Sequence, residues 1–128
     1  MSVIAHPQKM VVDIGGTHPK KLFVFTGWIS FPPGGMSAGS VQDNHDFNVT
    51  IPDSLEFVGR FTGKNAVVVA TPSSFTIGGG GLVAVDNAVV DNTAGDTDGL
   101  HIIGSVAMRD ATLFLVSYQV TAFLDVAQ

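Results

Sequence analysis

The chain has no cysteine, which excludes disulfide bridges and thiol chemistry. It also has little charge: ionised residues make up 13% of its 128 residues, about half of the usual share of roughly 25%. Glutamate occurs once, as Glu56, and every other acidic residue is an aspartate. Since Asp favours turns and Glu favours helices, this bias indicates a protein of strands and loops. Scarce charge together with a mean hydropathy of +0.37 indicates that other subunits cover part of its surface.

Basic residues are also few, and they are scattered. The chain carries six Lys and Arg against eleven acids, a formal charge of −5, and Lys20–Lys21 is the only adjacent pair. Nucleic-acid binding needs a basic stripe that releases counterions, so we expect no nucleic-acid partner. The N-terminal residues lack the pattern of a signal peptide, and the longest apolar stretch, 111–124, is too short for a membrane helix. We therefore expect cytoplasmic synthesis and no membrane partner.

Catalytic and cofactor motifs are missing as well. The sequence has no G-x-S-x-G, and its Gly-rich runs at 32–35 and 78–81 are not followed by the Lys-Ser or Lys-Thr of a phosphate loop. Its four histidines form no closely spaced pair. We predict that the chain is not an enzyme and that it has no catalytic residue and no cofactor.

What the sequence does contain is alternation with a period of two. In segment 46–51, Phe47, Val49 and Ile51 alternate with three polar residues, as expected of a strand with one wet face. The pattern recurs along most of the chain between Gly, Pro, Asn and Asp. We predict one all-β domain over residues 1–128, an antiparallel β-sandwich of about eight or nine strands that is jelly-roll-like.

Several expectations concern single strands and turns. Gly27, inside an aromatic strand, predicts a bulge or a close backbone approach. We predict a corner at Gly78–Gly81, a turn at Arg109–Asp110, and a hairpin at 63–65 that joins a strand at 55–62 to the next one. In the last strand, one face is predicted to consist of Phe114, Val116, Tyr118, Val120, Ala122 and Leu124.

One polar loop is a candidate cation site. Asp91, Asp96 and Asp98 place carboxylates on a Gly-punctuated backbone, and calcium prefers oxygen ligands from such loops. No acidic residue closes a twelve-residue loop in the EF-hand manner. The alternative is a solvated turn in which Asp and Asn act as turn formers.

The composition and predicted architecture favour a non-enzymatic structural or assembly subunit. In these respects the chain resembles accessory proteins of virus particles, such as capsid decoration or tail proteins. That resemblance implies an N-terminal arm, here residues 1–9, and a loop that reach a neighbouring subunit. The partners would be other copies of the chain or a larger protein shell in a virion. The candidate interface residues are Val3, Ile4, His6, Pro7, Pro32, Pro33, Met36 and His45.

The alternative function is a lectin-like, carbohydrate-binding module. Its loops at 32–45 and 91–99 would meet a glycan, with calcium as an aid. Aromatic side chains can serve as platforms for sugars, but the apolar neighbours of Trp28 and Tyr118 predict that both pack in the core. An exposed Trp28 would favour the carbohydrate-binding alternative.

Overall fold

The computed structural model describes residues 3–14, 20–52, 66–91 and 99–125. They form six β-strands: β1 (Val3–Ile14), β2 (Lys20–Ser30), β3 (Met36–Ala38), β4 (Asp43–Pro52), β5 (Ala66–Asp91) and β6 (Gly99–Asp125). All six belong to one curled antiparallel sheet, which confirms the all-β prediction. Within these ranges no helix could cross a membrane.

Strand β6 organises this sheet because it is paired along both of its edges. Strand β5 follows one edge, from Asp91 opposite His101 to Ala66 opposite Ala122. The other edge is shared by β2 at residues 115–125, by β3 at 111–113 and by β4 at 99–108. Strand β1 is paired to the far edge of β2. Every other strand is therefore held by β6 directly or through β2.

The predicted count of eight or nine strands is wrong for the described chain, because two long strands replace several short ones. Opposite Asp110 of β6, the four residues Gly78–Gly81 of β5 form a bulge between the pairs Ile77–Ala111 and Leu82–Arg109. Asp110 has φ of 50°, and a Cβ at Gly81 would lie 2.8 Å from its carbonyl oxygen. The chain bends at this point and continues, so Arg109–Asp110 is not a reversing turn.

Hydrogen bonds fix that bend. Arg109 donates from Nε to the carbonyl oxygen of Gly80 at 2.9 Å, across the two strands. The amide of Asp110 donates to the carbonyl oxygen of Gly39 at 2.7 Å, which ties the loop between β3 and β4 to the same place. The predicted strand at 55–62 and the hairpin at 63–65 lie outside the described residues.

The core follows the predicted alternation. Phe47, Val49 and Ile51 are buried in β4, as expected, and the strands facing them bury side chains with the same period. The largest fully buried side chains are Phe23, Phe25, Ile29, Ile51, Ile102, Met108, Leu113, Val106, Val116 and Val120. These side chains form one hydrophobic cluster that reaches across the curled sheet.

The prediction of one common face in the last strand is confirmed from Val116 to Ala122, where that face is buried, but is wrong at Phe114. Phe114 is exposed and Leu113 is fully buried. The reason is an irregular register in the β5–β6 ladder, where Ser74 lies opposite Leu115 and Phe75 opposite Leu113. Such a shift reverses which side chains face the core. The side chain of Leu124 lies outside the described set.

Gly27 meets both of its predicted roles. In β1 the register skips two residues between the pairs Ala5–Trp28 and Gln8–Thr26, so a bulge lies opposite Gly27. On the core side, a Cβ at Gly27 would lie 2.6 Å from Oη of Tyr118. Only glycine leaves room for this tyrosine, whose hydroxyl is buried and has no hydrogen-bond partner among the described residues. The predicted burial of Tyr118 is confirmed.

We predict that Gly27→Ala destabilises the protein by about 1–3 kcal/mol, the usual cost of overpacking a filled core. The added methyl would overlap Tyr118 and press on the carbonyl oxygen of Ala5, 3.2 Å away. Urea denaturation followed by circular dichroism measures the change in the free energy of unfolding. Gly39→Ala is the control, because its Cβ would meet no atom within 4 Å. Equal stability of the two variants would contradict the packing described here.

A second prediction concerns the acidity of Tyr118. Burial raises the pKa of Tyr118 from 10.0 to about 12. Between these two values the unfolded chain loses the phenolic proton while the folded chain retains it, so the free energy of unfolding falls as pH rises through this window. Tyr118 is the only tyrosine, so its ultraviolet absorbance reports this titration alone.

The control for this titration is Tyr118→Phe, which removes the signal and leaves the titration of the four lysines. We expect the wild type to lose more stability than this variant between pH 10 and 12. A native titration midpoint near pH 10 would show that the hydroxyl is not buried.

Candidate functional site

The side of the sheet that faces away from the core carries uncharged side chains across four strands. Met10, Val24, Thr121 and Val67 form one row across β1, β2, β6 and β5, because each is paired with the next. The next row is Gln8, Thr26, Gln119 and Val69. We call this surface the uncharged outer face; it consists of Gln8, Met10, Val12, Leu22, Val24, Thr26, Trp28, Val67, Val69, Thr71, Ser117, Gln119 and Thr121.

Apolar groups are unusually accessible at the two sides of this face. Met10 of β1 is 57% exposed and Val67 of β5 is 65% exposed. Val12 and Val69, next to them on the same strands, are exposed as well. Single exposed apolar residues are normal, whereas a contiguous apolar patch marks an interaction site. Met10, Val12, Leu22 and Val24 form such a patch across β1 and β2, with Val67 beyond Thr121, and none of the thirteen side chains of the uncharged outer face is ionised.

A groove of about 370 Å³ lies at one end of this face. The bulge in β1 helps to form it: His6 has φ of 50°, and its ring stands edge-on to that of Trp28, with centroids 6.0 Å apart and planes at 88°. Trp28 is 39% exposed there. The expectation that Trp28 packs in the core is therefore wrong, since Gly27 and Ile29 are the residues that face inward.

Apart from Val69, the rest of the groove presents polar, uncharged side chains. They include Gln8, Thr26, Thr71, Ser117 and Gln119, and no Asp, Glu, Lys or Arg is among the described residues that line the groove. Ser117 donates to the carbonyl oxygen of Thr71 at 3.3 Å, and the two hydroxyl oxygens are 2.9 Å apart. These bonds fix both hydroxyl groups across β5 and β6.

Tyr118 and Gly27 also border the groove, on its core side. Because burial raises the pKa of Tyr118 to about 12, its phenol is neutral at physiological pH.

The predicted cation site cannot be assembled from the described chain. Asp91 ends β5, where its backbone is paired with His101, and Asp96 and Asp98 lie outside the described residues. Within the described ranges, no group of three or more His, Cys, Asp or Glu side chains is close enough to hold a metal ion.

The predicted interface residues are distributed over several elements. Val3, Ile4, His6 and Pro7 lie in β1, where they belong to the strand paired with β2. Pro32 and Pro33 lie between β2 and β3, Met36 in β3 and His45 in β4. His6 is the one that reaches the groove, whereas Ile4 and Met36 pack against the core.

His45 lies beside an acidic residue of its own strand. Its Nε2 lies 3.8 Å from a carboxylate oxygen of Asp43 and has no hydrogen-bond partner among the described residues. Ser37 of β3 is hydrogen bonded to Thr112, with 3.1 Å between the hydroxyl oxygens.

The outer face itself was missed at the sequence level, although a signal for it exists. Ser117, Gln119 and Thr121 interrupt the apolar run of the last strand with a period of two, and they are the side chains that β6 contributes to the outer face. Because these polar residues alternate with apolar ones, they show which positions of β6 face outward. The paired register then identifies those on β2 and β5.

Comparison with known proteins adds no family assignment. No family model, no curated protein and no solved structure matches the chain.

Proposed function

We propose that this chain is a non-enzymatic structural subunit that associates with further copies of itself through the part of the uncharged outer face that lies beside the groove and does not line it. The observation that carries the proposal is the row of Met10, Val24, Thr121 and Val67. Its two end strands, β1 and β5, expose the apolar side chains of Met10 and Val67. Water contact with these groups is unfavourable, and a second copy that packs on them removes it.

A contact between two copies is favoured by symmetry. In a two-fold contact the same patch is used on both subunits. Each apolar residue of the patch is therefore buried in both copies and contributes twice to the contact. A fully buried Val or Met contributes about 1.5–3 kcal/mol relative to an exposed one, and a half-exposed side chain contributes roughly half of that. No ionised group on this face would have to be desolvated, which is the main cost in many interfaces.

The proposed setting is a shell built from many copies, such as a virus particle in which the chain is a decoration or tail protein. Support for it comes from the scarcity of charge in the whole chain and from the general resemblance in composition and fold class. As part of this proposal, the curled sheet closes into a two-layer, jelly-roll-like domain whose outer face meets the next subunit.

The test is the oligomeric state of surface variants. We expect the wild type to associate at micromolar concentration, and Met10→Glu with Val67→Glu to shift it to monomer, because each change puts like charges on both sides of a two-fold contact. Size-exclusion chromatography with light scattering measures the mass. Both residues are exposed, so circular dichroism should remain unchanged.

The matched control is Val41→Glu, an equally apolar and even more exposed residue, at 79%, that lies in the loop before β4. It should associate like the wild type. A wild type that is monomeric at every concentration would overturn the proposal, as would a double variant that retains the mass of the wild type.

A further inference from the structure

We infer that the groove at the end of the uncharged outer face is a binding site for a short, neutral saccharide. This site differs from the loops at 32–45 and 91–99 that the sequence favours for glycans. The inference does not depend on the proposed function, because Met10 and Val67 do not line the groove.

The first argument is the tryptophan. Trp28 lies in a strand, so its backbone is fixed by pairs on both sides, to Ala5 of β1 and to Ser117 of β6. His6 packs edge-on against the ring and limits its rotation. A large aromatic surface that is rigid before binding loses little entropy on binding. The carbon-bound hydrogens on one face of a pyranose ring form an apolar surface that fits such a platform.

The second argument is the composition of the polar lining. A saccharide presents a rim of hydroxyl groups that both donate and accept hydrogen bonds. Gln8 and Gln119 offer amide donors and acceptors, and Thr26, Thr71 and Ser117 offer hydroxyl groups. The two amides and the Thr26 hydroxyl can donate to or accept from such a rim, whereas Thr71 and Ser117, which are hydrogen bonded to each other, offer it acceptor oxygens.

The third argument is that no Asp, Glu, Lys or Arg occurs among the described residues of the lining. A carboxylated, sulfated or phosphorylated ligand is best balanced by a Lys or Arg side chain, and these residues supply neither. A purely apolar ligand would leave the amides and hydroxyl groups without partners, which is costly. A ligand that is both neutral and polar therefore fits the groove best.

The size of the groove limits the ligand further. Its volume of about 370 Å³ is at the lower end of the range of roughly 300–1,000 Å³ found for small-molecule sites. We therefore expect the end or one short segment of a glycan to bind, with the rest of the chain in solvent.

The test uses the fact that Trp28 is the only tryptophan, so its fluorescence reports the groove directly. The wild-type protein is screened on an array of neutral and anionic glycans and then titrated with maltose, lactose and diacetylchitobiose. We expect a saturable change in Trp28 fluorescence with at least one neutral glycan. Calorimetry then measures the affinity of the variants for the best neutral glycan.

We expect Trp28→Ala to weaken binding by about tenfold or more and Gln119→Ala by several-fold. Gln119 is exposed, so its variant keeps the fold and the fluorescent reporter even where Trp28→Ala does not fold. The matched control is Phe75→Ala, an exposed aromatic residue outside the groove, which should bind like the wild type.

Three results would each overturn the inference: no neutral glycan binds, only anionic glycans bind, or both groove variants bind as tightly as the Phe75→Ala control. None of these results affects the oligomeric state, so failure of the saccharide site and failure of the assembly proposal are distinguishable.

Discussion

Pairing of β6 along both of its edges is the constraint on which the rest of this structure depends. A strand that is hydrogen bonded on both sides has its backbone groups satisfied within the sheet. Its side chains are then divided between the two faces, with a reversal where the register shifts beside Phe114, and the same division is imposed on every strand paired with it. Core residues such as Val106 and Val120 and outer residues such as Gln119 therefore follow from one strand and its register.

The outer face is a consequence of this register. Thr121 of β6 lies between Val24 and Val67, whereas Gln119 lies between Thr26 and Val69, so one row across the sheet is mainly apolar and the next is mainly polar. At one end the bulge in β1 turns His6 toward Trp28 and opens the groove. The apolar row and the polar groove are thus neighbouring parts of one surface, which is the basis for proposing self-association at the first and saccharide binding at the second.

Local alternation could be predicted from the sequence wherever one face was clearly polar. The prediction for Phe47 and Val49 is correct because they alternate with the polar residues Asp46 and Asn48. The prediction for Gly27 is correct because a glycine inside an aromatic strand indicates a bulge or a close approach. The prediction for Trp28 is wrong because both faces of its strand are apolar, so the sequence does not show which residues face the core. Gly27 decides this, since it must face inward above Tyr118, and its neighbour Trp28 therefore faces outward.

The long strands could not be predicted, because a glycine run and an Arg-Asp pair each favour a chain reversal locally. In the folded chain they lie opposite each other and form one shared bend. This pairing joins residues far apart in the sequence, so local sequence patterns do not reveal it. The candidate cation site could not be judged in the same way, since Asp96 and Asp98 lie outside the described residues.

The most direct test of this account is hydrogen exchange of the β6 amides under native conditions. If β6 is one continuous strand paired on both edges, the amides of 102–108 and of 113–122 belong to one cooperative unit and exchange with the same free energy, that of global unfolding. Exchange of one half of β6 at a much lower free energy than the other would show that the chain is divided at Arg109–Asp110, and this would contradict the central role of β6.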